Sequence, residues 1–328
     1  MKLIIQIPCL NEEGQLPTTL GALPREVEGF DTVEWLVVDD GSTDRTIEVA
    51  RSLGVDHIIR LPQNQGLAAA FQAGLDASLK LGADVIVNTD ADNQYDASDI
   101  PALVTPILDG EADMVVGDRE VVTIEHFSPL KKRLQKLGSW VVRRASGTDV
   151  PDATSGFRAY NREAALQLVV VSSFTYTLES LIQAGKGLVA VSHVPVGTNE
   201  QLRESRLFPS MGTYVRRNGL AIFRIYTGYE PLRVFTTIAV GLFTLALVAW
   251  IPFFYDWIVN GEREGHLQSI VLGAVFVLAA VQILVFGMLA DSIAANRTVS
   301  QRTLERVRRI ELAMGVPPSH HDAGDTIE

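Results

Sequence analysis

The chain has 328 residues, 47% of them hydrophobic and 20% charged, with a formal net charge of −11. That length leaves room for about two domains, and the apolar content excludes a disordered polymer. A single cysteine, Cys9, excludes an intrachain disulfide framework and fits a reducing compartment, where it reads as a small core side chain.

Met1 leads almost directly into an apolar run, Lys2 to Pro8, read as a strand with no secretory leader ahead of it. A helix is expected near Leu16 to Leu23, where Pro17 suits a first turn. Strand Val33 to Val38 precedes the turn Asp39-Asp40-Gly41-Ser42-Thr43-Asp44, then a helix from Arg45 to Leu53. Strand His57 to Arg60 leads into a helix from Leu67 to Leu81. Strand Asp84 to Asn88 runs into Asp90-Ala91-Asp92, and a helix near Ile100 to Leu108 leads to strand Asp113 to Val116. Such alternation predicts an α/β domain with a mostly parallel sheet and helices on both faces. Gly185-Lys186-Gly187 lacks Walker spacing and reads as a helix-to-strand turn.

Basic residues then gather. Lys131, Lys132, Arg133, Lys136, Arg143 and Arg144 fall together without an acid, and Arg203, Arg206, Arg216, Arg217, Arg224 and Arg233 follow. Beside membrane spans, such a surface suits anionic lipid headgroups or an anionic lipid substrate better than nucleic acid. Residues 209–230 read as interfacial amphipathic helices, with Tyr214, Leu220, Phe223 and Tyr226 beside the arginines; packing against the soluble domain is the alternative. Val234 to Tyr255 and Leu267 to Ala290 carry no charge and are each long enough to span a bilayer. Two buried core helices are the alternative, which apolarity on every face of both runs disfavours. The linker between them is acidic (Asp256, Glu262, Glu264), whereas the flanks are rich in arginine, so both flanks are expected to be cytoplasmic. The expected division is therefore a catalytic domain over 1–208, the interfacial segment 209–230, a two-span hairpin over 231–292 and a tail over 293–328. In that tail, Thr298 to Ala313 has helical periodicity and an arginine-rich face, while Pro317 to Glu328 reads as disordered. The histidines are dispersed, apart from His320-His321 in the polar tail, so no zinc site is expected.

Three predicted strand ends carry polar clusters: Pro8-Cys9-Leu10-Asn11-Glu12-Glu13, Asp39-Asp40-Gly41-Ser42 and Asp90-Ala91-Asp92. In a doubly wound sheet they share one edge, where ligands bind. Two carboxylates spaced Asp-x-Asp can share a hard divalent cation, which can hold a diphosphate. Asp39 and Asp40 can hydrogen-bond a ribose or base. Taken singly, each cluster also reads as an ordinary turn or a helix cap.

With these motifs, and with Gly117-Asp118-Arg119 and Thr154-Ser155-Gly156-Phe157-Arg158, residues 1–230 resemble the GT-A glycosyltransferases of family 2. The two C-terminal spans are similar to those of its membrane-anchored branch, the polyprenyl-phosphate glycosyltransferases. Asn93 stands where that family usually has leucine, and Arg206 where it often has lysine.

The resemblance implies a nucleotide-sugar donor, a polyprenyl phosphate acceptor, Mg2+ or Mn2+, a cell-membrane location and a possible tetramer. Pro8, Asn11, Glu12, Asp39, Asp40 and Ala91 would line the donor pocket. Asp90, Asp92 and Gln94 would surround the metal and diphosphate, and Arg203 and Arg206 would close over them. Arg119 would reach a phosphate, and Asp152 would lie near the reacting sugar. Arg119, Arg133, Lys136, Ser139, Ser155 and Gly156 would meet the acceptor. Asp92, Arg119 and Asp152 are the catalytic candidates. A lipid phosphate is already nucleophilic at neutral pH, since its second pKa is near 6, and direct displacement would invert the anomeric carbon. A hydroxyl acceptor would instead need a carboxylate base, for which Asp152 and Glu179 are candidates; a non-catalytic membrane scaffold is a third reading. The sequence lacks the Gln-x-x-Arg-Trp motif of processive synthases.

Overall fold

The computed structural model describes residues 1–119, 138–140, 142–144, 146–170, 176–187, 189–199, 223, 226–261 and 266–322. They divide between two compact units, Met1–Ile222 with Thr303–Glu328, and Phe223–Arg302.

The first unit is built on seven strands: β1 Lys2–Cys9, β2 Thr32–Asp39, β3 His57–Arg60, β4 Val85–Asn88, β5 Met114–Asp118, β6 Arg158–Asn161 and β7 Val191–Pro195. Their order across the sheet is β3-β2-β1-β4-β6-β5-β7. The first four run parallel, β6 lies antiparallel between β4 and β5, and β7 is parallel to β5. β1 is buried from Leu3 through Cys9 and β4 along its whole length. Continuous apolar runs of this kind are what a sheet covered on both faces requires.

Around the sheet lie α1 Leu16–Ala22, α2 Thr46–Ser52, α3 Leu67–Lys80, α4 Ile100–Leu108, α5 Arg162–Gln167 and α6 Tyr176–Lys186. Through α4 and β5 every predicted element forms, within two residues of its predicted ends. The three strands preceding the candidate site extend one residue further than predicted or begin one later, as ladder pairing rather than apolarity sets their limits. α3 buries Phe71, Leu75 and Leu79 and approaches β1 closely at Gly74, where a Cβ would lie 2.5 Å from Gln6 Oε1. One core cluster joins Leu3, Ile5, Ile7, Val37, Val87, Leu103 and Phe157, each burial worth about 1.5–3 kcal/mol.

The second unit contains α7 Pro231–Tyr255, and α8 Leu267–Ala313 begins in it. Pro231–Val259 and Leu267–Ala313 are both long and apolar enough to cross a membrane. The sequence separates the second span from a basic helix beginning near Thr298, whereas the structure makes them one helix of 47 residues. No proline or glycine occurs between Gly287 and Ala313 to interrupt it.

The end of that helix and the chain beyond it belong to the first unit. Arg308 is buried, donates to the carbonyls of Leu166 (3.1 Å) and Leu168 (2.7 Å), and pairs with Asp76 at 2.8 Å. Disorder is expected from Pro317 onward, but residues 320–322 instead pair with β3. An Ile59–His321 bridge forms, Arg60 N–H donates to His320 O at 3.0 Å, and Asp322 N–H donates to Ile58 O at 2.9 Å. The exposed edge of β3 supplies the partner that composition could not reveal. Residues 323–328 lie outside the described residues, as does the expected interfacial segment apart from residues 223 and 226–230.

Candidate functional site

The loops after β1 and β2 are stitched together. Asn11, at φ 53, donates its N–H to Ser42 Oγ, and its side-chain oxygen accepts from Thr43 N–H, both at 2.8 Å. Glu12 N–H donates to Thr46 Oγ1 at 2.8 Å. Pro8 is buried in register with Val38. The adjacent aspartates order backbone: Asp39 accepts from Ser42 N–H at 3.1 Å, while Asp40 accepts from Gln65 N–H at 2.7 Å and Gly66 N–H at 2.9 Å. Burial nevertheless raises the Asp40 pKa. Gly41, at φ +75, turns so tightly that a Cβ would lie 2.7 Å from Asn64 N.

Beyond β4, Ala91 O accepts from Thr19 Oγ1 at 2.8 Å and Asp92 Oδ1 accepts from Gln94 N–H at 3.1 Å. Asn93 has φ 56, a left-handed conformation that asparagine tolerates better than most side chains. Burial and the neighbouring Asp92 push Asp90 up to about 7, against the pull of Arg119 and Arg158. A buried carboxylate whose proton affinity is raised by a neighbouring carboxylate forms with it a donor set that a divalent cation relieves. The Asp90 carboxylate also rests against a bare backbone, since a Cβ on Gly156 would lie 3.1 and 3.2 Å from its two oxygens. These two carboxylates fit a hard divalent cation. Among the described residues no group of three His, Cys, Asp or Glu side chains is arranged to hold a metal.

Against the Asp90 carboxylate lies the loop 152–157, which leads into β6. Arg119 grips Asp152 with two bonds, Nε to Oδ2 at 2.6 Å and Nη2 to Oδ1 at 3.1 Å, and reaches Thr154 Oγ1 at 3.0 Å. Burial pushes the Asp152 carboxyl up, but the charge and hydrogen bonds of Arg119 hold it below the usual range. Gly156 N–H donates to Tyr95 Oη at 2.8 Å, and Gly156 O accepts from Asn88 Nδ2 at 2.8 Å. The Ser155 hydroxyl is buried and has no hydrogen-bond partner among the described residues. Arg158, fully buried, donates to the carbonyls of Ala153, Ser155 and Thr177 and to Ser180 Oγ. Tyr95 stacks on Phe157 with centroids 5.1 Å apart, and the Arg119 guanidinium carbon lies 5.8 Å from the Tyr95 ring centroid.

Contacts thus connect Asp90, Gly156, Asp152 and Arg119 through Tyr95 and Thr154, while Pro8, Asn11, Glu12, Asp39 and Asp40 form a second group at the ends of β1 and β2. Gln94 donates its backbone N–H to Asp92, and its carbonyl accepts from Asn199 N–H at 2.9 Å. Ser139 is buried in the helical stretch 138–140, and Glu179 is buried in α6. Arg133, Lys136, Arg203 and Arg206 lie outside the described residues. Sequence reasoning assigned no role to Asn88, Tyr95 or Arg158; each bonds peptide groups of the 153–156 segment, which leaves no spacing pattern to read.

Residues 4–168 match glycosyl transferase family 2, and residues 230–295 match the GtrB C-terminal hairpin. Polyprenol monophosphomannose synthase of Mycolicibacterium smegmatis is 29% identical over 233 residues, covering 68% of this chain and 84% of its own. Undecaprenyl-phosphate mannosyltransferase of Micrococcus luteus is 32% identical over 184 residues, covering 54% and 74%. Glucosyl-3-phosphoglycerate synthase from Mycobacterium tuberculosis, crystallised with Mn2+, UDP-glucose and phosphoglyceric acid, superposes with a TM-score of 0.56. That match covers 69% of this chain and 79% of the other at 22% identity, a likeness of fold alone.

Proposed function

Since the chain belongs to glycosyl transferase family 2 and has the GT-A fold, we propose that it moves a hexose from a nucleotide sugar to a polyprenyl phosphate at the cytoplasmic membrane face. A UDP-sugar is the favoured donor. Both named relatives above are described by polyprenyl acceptors, and the hairpin match supports anchoring beside such a lipid. The observation that carries the reading is the Arg119–Asp152 ion pair beside the Asp90 carboxylate, which puts a guanidinium next to a carboxylate suited to a divalent cation.

Asp90 and Asp92 would hold Mg2+ or Mn2+, which neutralises leaving diphosphate charge when bound. An oxygen of the lipid phosphate forms the bond to the anomeric carbon as the bond from that carbon to the diphosphate breaks, inverting the centre. The nucleophile is an anion already, so no proton has to be removed from it. Asp152 suits this scheme: held ionised by Arg119, it orients the guanidinium instead of serving as a base poised near neutral pH. Arg119, held charged by its surroundings, is placed to offset the approach of a second anion.

The test incubates detergent-purified protein with undecaprenyl phosphate, Mg2+ or Mn2+, and a panel of UDP- and GDP-sugars, followed by mass spectrometry of the lipid fraction. The expected product is a lipid-phospho-hexose that requires metal and disappears in folded Asp92→Ala. No lipid product from any donor would overturn the acceptor assignment, and full activity of Asp92→Ala would overturn the metal site.

A further inference from the structure

Gly156 is gripped from both sides by residues that flank the Asp90-Ala91-Asp92 motif. Asn88, the last residue of β4, donates Nδ2 to Gly156 O at 2.8 Å, and Tyr95 Oη accepts Gly156 N–H at 2.8 Å. Each grip is itself braced. Asn88 Oδ1 accepts from Gln6 Nε2 at 2.9 Å, and its Nδ2 lies 3.0 Å from the Tyr176 hydroxyl, whose ring stacks on Phe71 with centroids 4.0 Å apart. Tyr95 stacks on Phe157, and an isolated bridge joins it to Thr198. Asn88 is fully buried and Tyr95 nearly so, so neither grip competes with water.

We infer that Asn88 and Tyr95 are positioning residues, a two-sided clamp on the Gly156 peptide that sets the spacing between the Asp90/Asp92 carboxylates and the Asp152–Arg119 pair. Both grips originate on the strand and loop that carry the carboxylates, and both act on the loop that carries Asp152. The peptide has no side chain because the Asp90 oxygens and the Tyr176 hydroxyl fill the space where one would stand. A shift of the loop by a fraction of an ångström would alter the approach of the reacting groups without removing any of them. The inference rests on the glycosyl-transfer reading above, and its test separates the two.

Tyr95→Phe removes only a hydroxyl, and Asn88→Asp keeps the shape while deleting the donor. Each should lower kcat for transfer at least tenfold, while the affinity for UDP with Mn2+, measured by calorimetry, stays within threefold of wild type. The double variant should lose little more than either single one, since both grip one peptide. Amide hydrogen exchange across 152–158 should quicken in both variants. Unchanged exchange overturns the clamp in every case. So does a kcat within threefold of wild type, or a donor affinity that falls in step with kcat. Should wild type make no lipid product, the transfer reading fails instead. The clamp is then judged by exchange and by the same kcat-without-affinity split in Mn2+-dependent hydrolysis of UDP-glucose; a wild type without hydrolysis leaves the exchange result to decide it.

Discussion

The carboxylate of Asp152 takes both bonds of the Arg119 fork and two more from Thr154, and it is 2% exposed. A carboxyl whose folded pKa lies below its unfolded value of about 3.9 adds stability above that value and loses it as pH falls through the folded one. Asp152→Asn leaves the Arg119 charge buried without its partner, a change worth about 3–5 kcal/mol, or roughly 10 °C in unfolding midpoint. The gap between wild type and Asp152→Asn should stay constant from neutral pH down to about 4 and narrow below it. Thermal unfolding in detergent across that range measures this; a gap unchanged at pH 3 would contradict the ion-pair account. Asp90 and Asp92 stood out as candidates because two charges end an otherwise apolar run. The roles of Asn88, Tyr95 and Arg158 did not, because what matters in each is a bond to a peptide group brought near by β6, whose antiparallel insertion between β4 and β5 no local pattern announces.

Among the elements, α5 has an unusual ending. Its final turn and the residue after its end expose carbonyls at Leu166 and Leu168, and the donor that satisfies them is Arg308, contributed from α8. Helix ends leave such acceptors unpaired unless a side chain or water supplies a donor, and a cation there also complements the helix dipole. Arg308→Met keeps the length of the stem but should cost about 2–3 kcal/mol, as two buried carbonyls lose their donor. The half-exposed Asp76 adds little, being screened by solvent. A midpoint lowered by about 5–10 °C, with unchanged affinity for UDP and Mn2+, is the expected result; a shift below 2 °C would show that water replaces the guanidinium. Sequence alone placed α1 through α4 and their strands well, since apolar runs and turn residues alternate cleanly there. The helix-to-strand turn read at Gly185-Lys186-Gly187 does join α6 to β7, but the ranges of α5, α6, β6 and β7 were not assigned, as such short segments carry little periodicity. The tail was misread for the opposite reason: polar composition says nothing about a strand edge that waits to be paired.

For the molecule as a whole, the first unit is discontinuous: Met1–Ile222 is completed by Thr303–Glu328, and most of the two long apolar helices is inserted between them in sequence. A fragment ending at residue 222 lacks Arg308, the pairing of 320–322 with β3, and the ion pairs Arg309–Glu163, Lys80–Glu311 and Arg51–Asp322. Its unfolding midpoint should lie at least about 5–10 °C below that of the full chain, with faster amide exchange concentrated in β3 and α3. Equal midpoints would show that the C-terminal segment is an accessory to a self-sufficient unit.

The same arrangement imposes an order of events on biosynthesis. A chain leaves the ribosome from its N-terminus, so every strand of the sheet emerges before either apolar helix does. The guanidinium that caps α5 and the segment 320–322 that pairs with β3 arrive only after the apolar part of the second helix has been made. Final consolidation of the first unit thus waits until both apolar helices have been made, and residues near 308 and 320 complete a unit whose strands were made long before them.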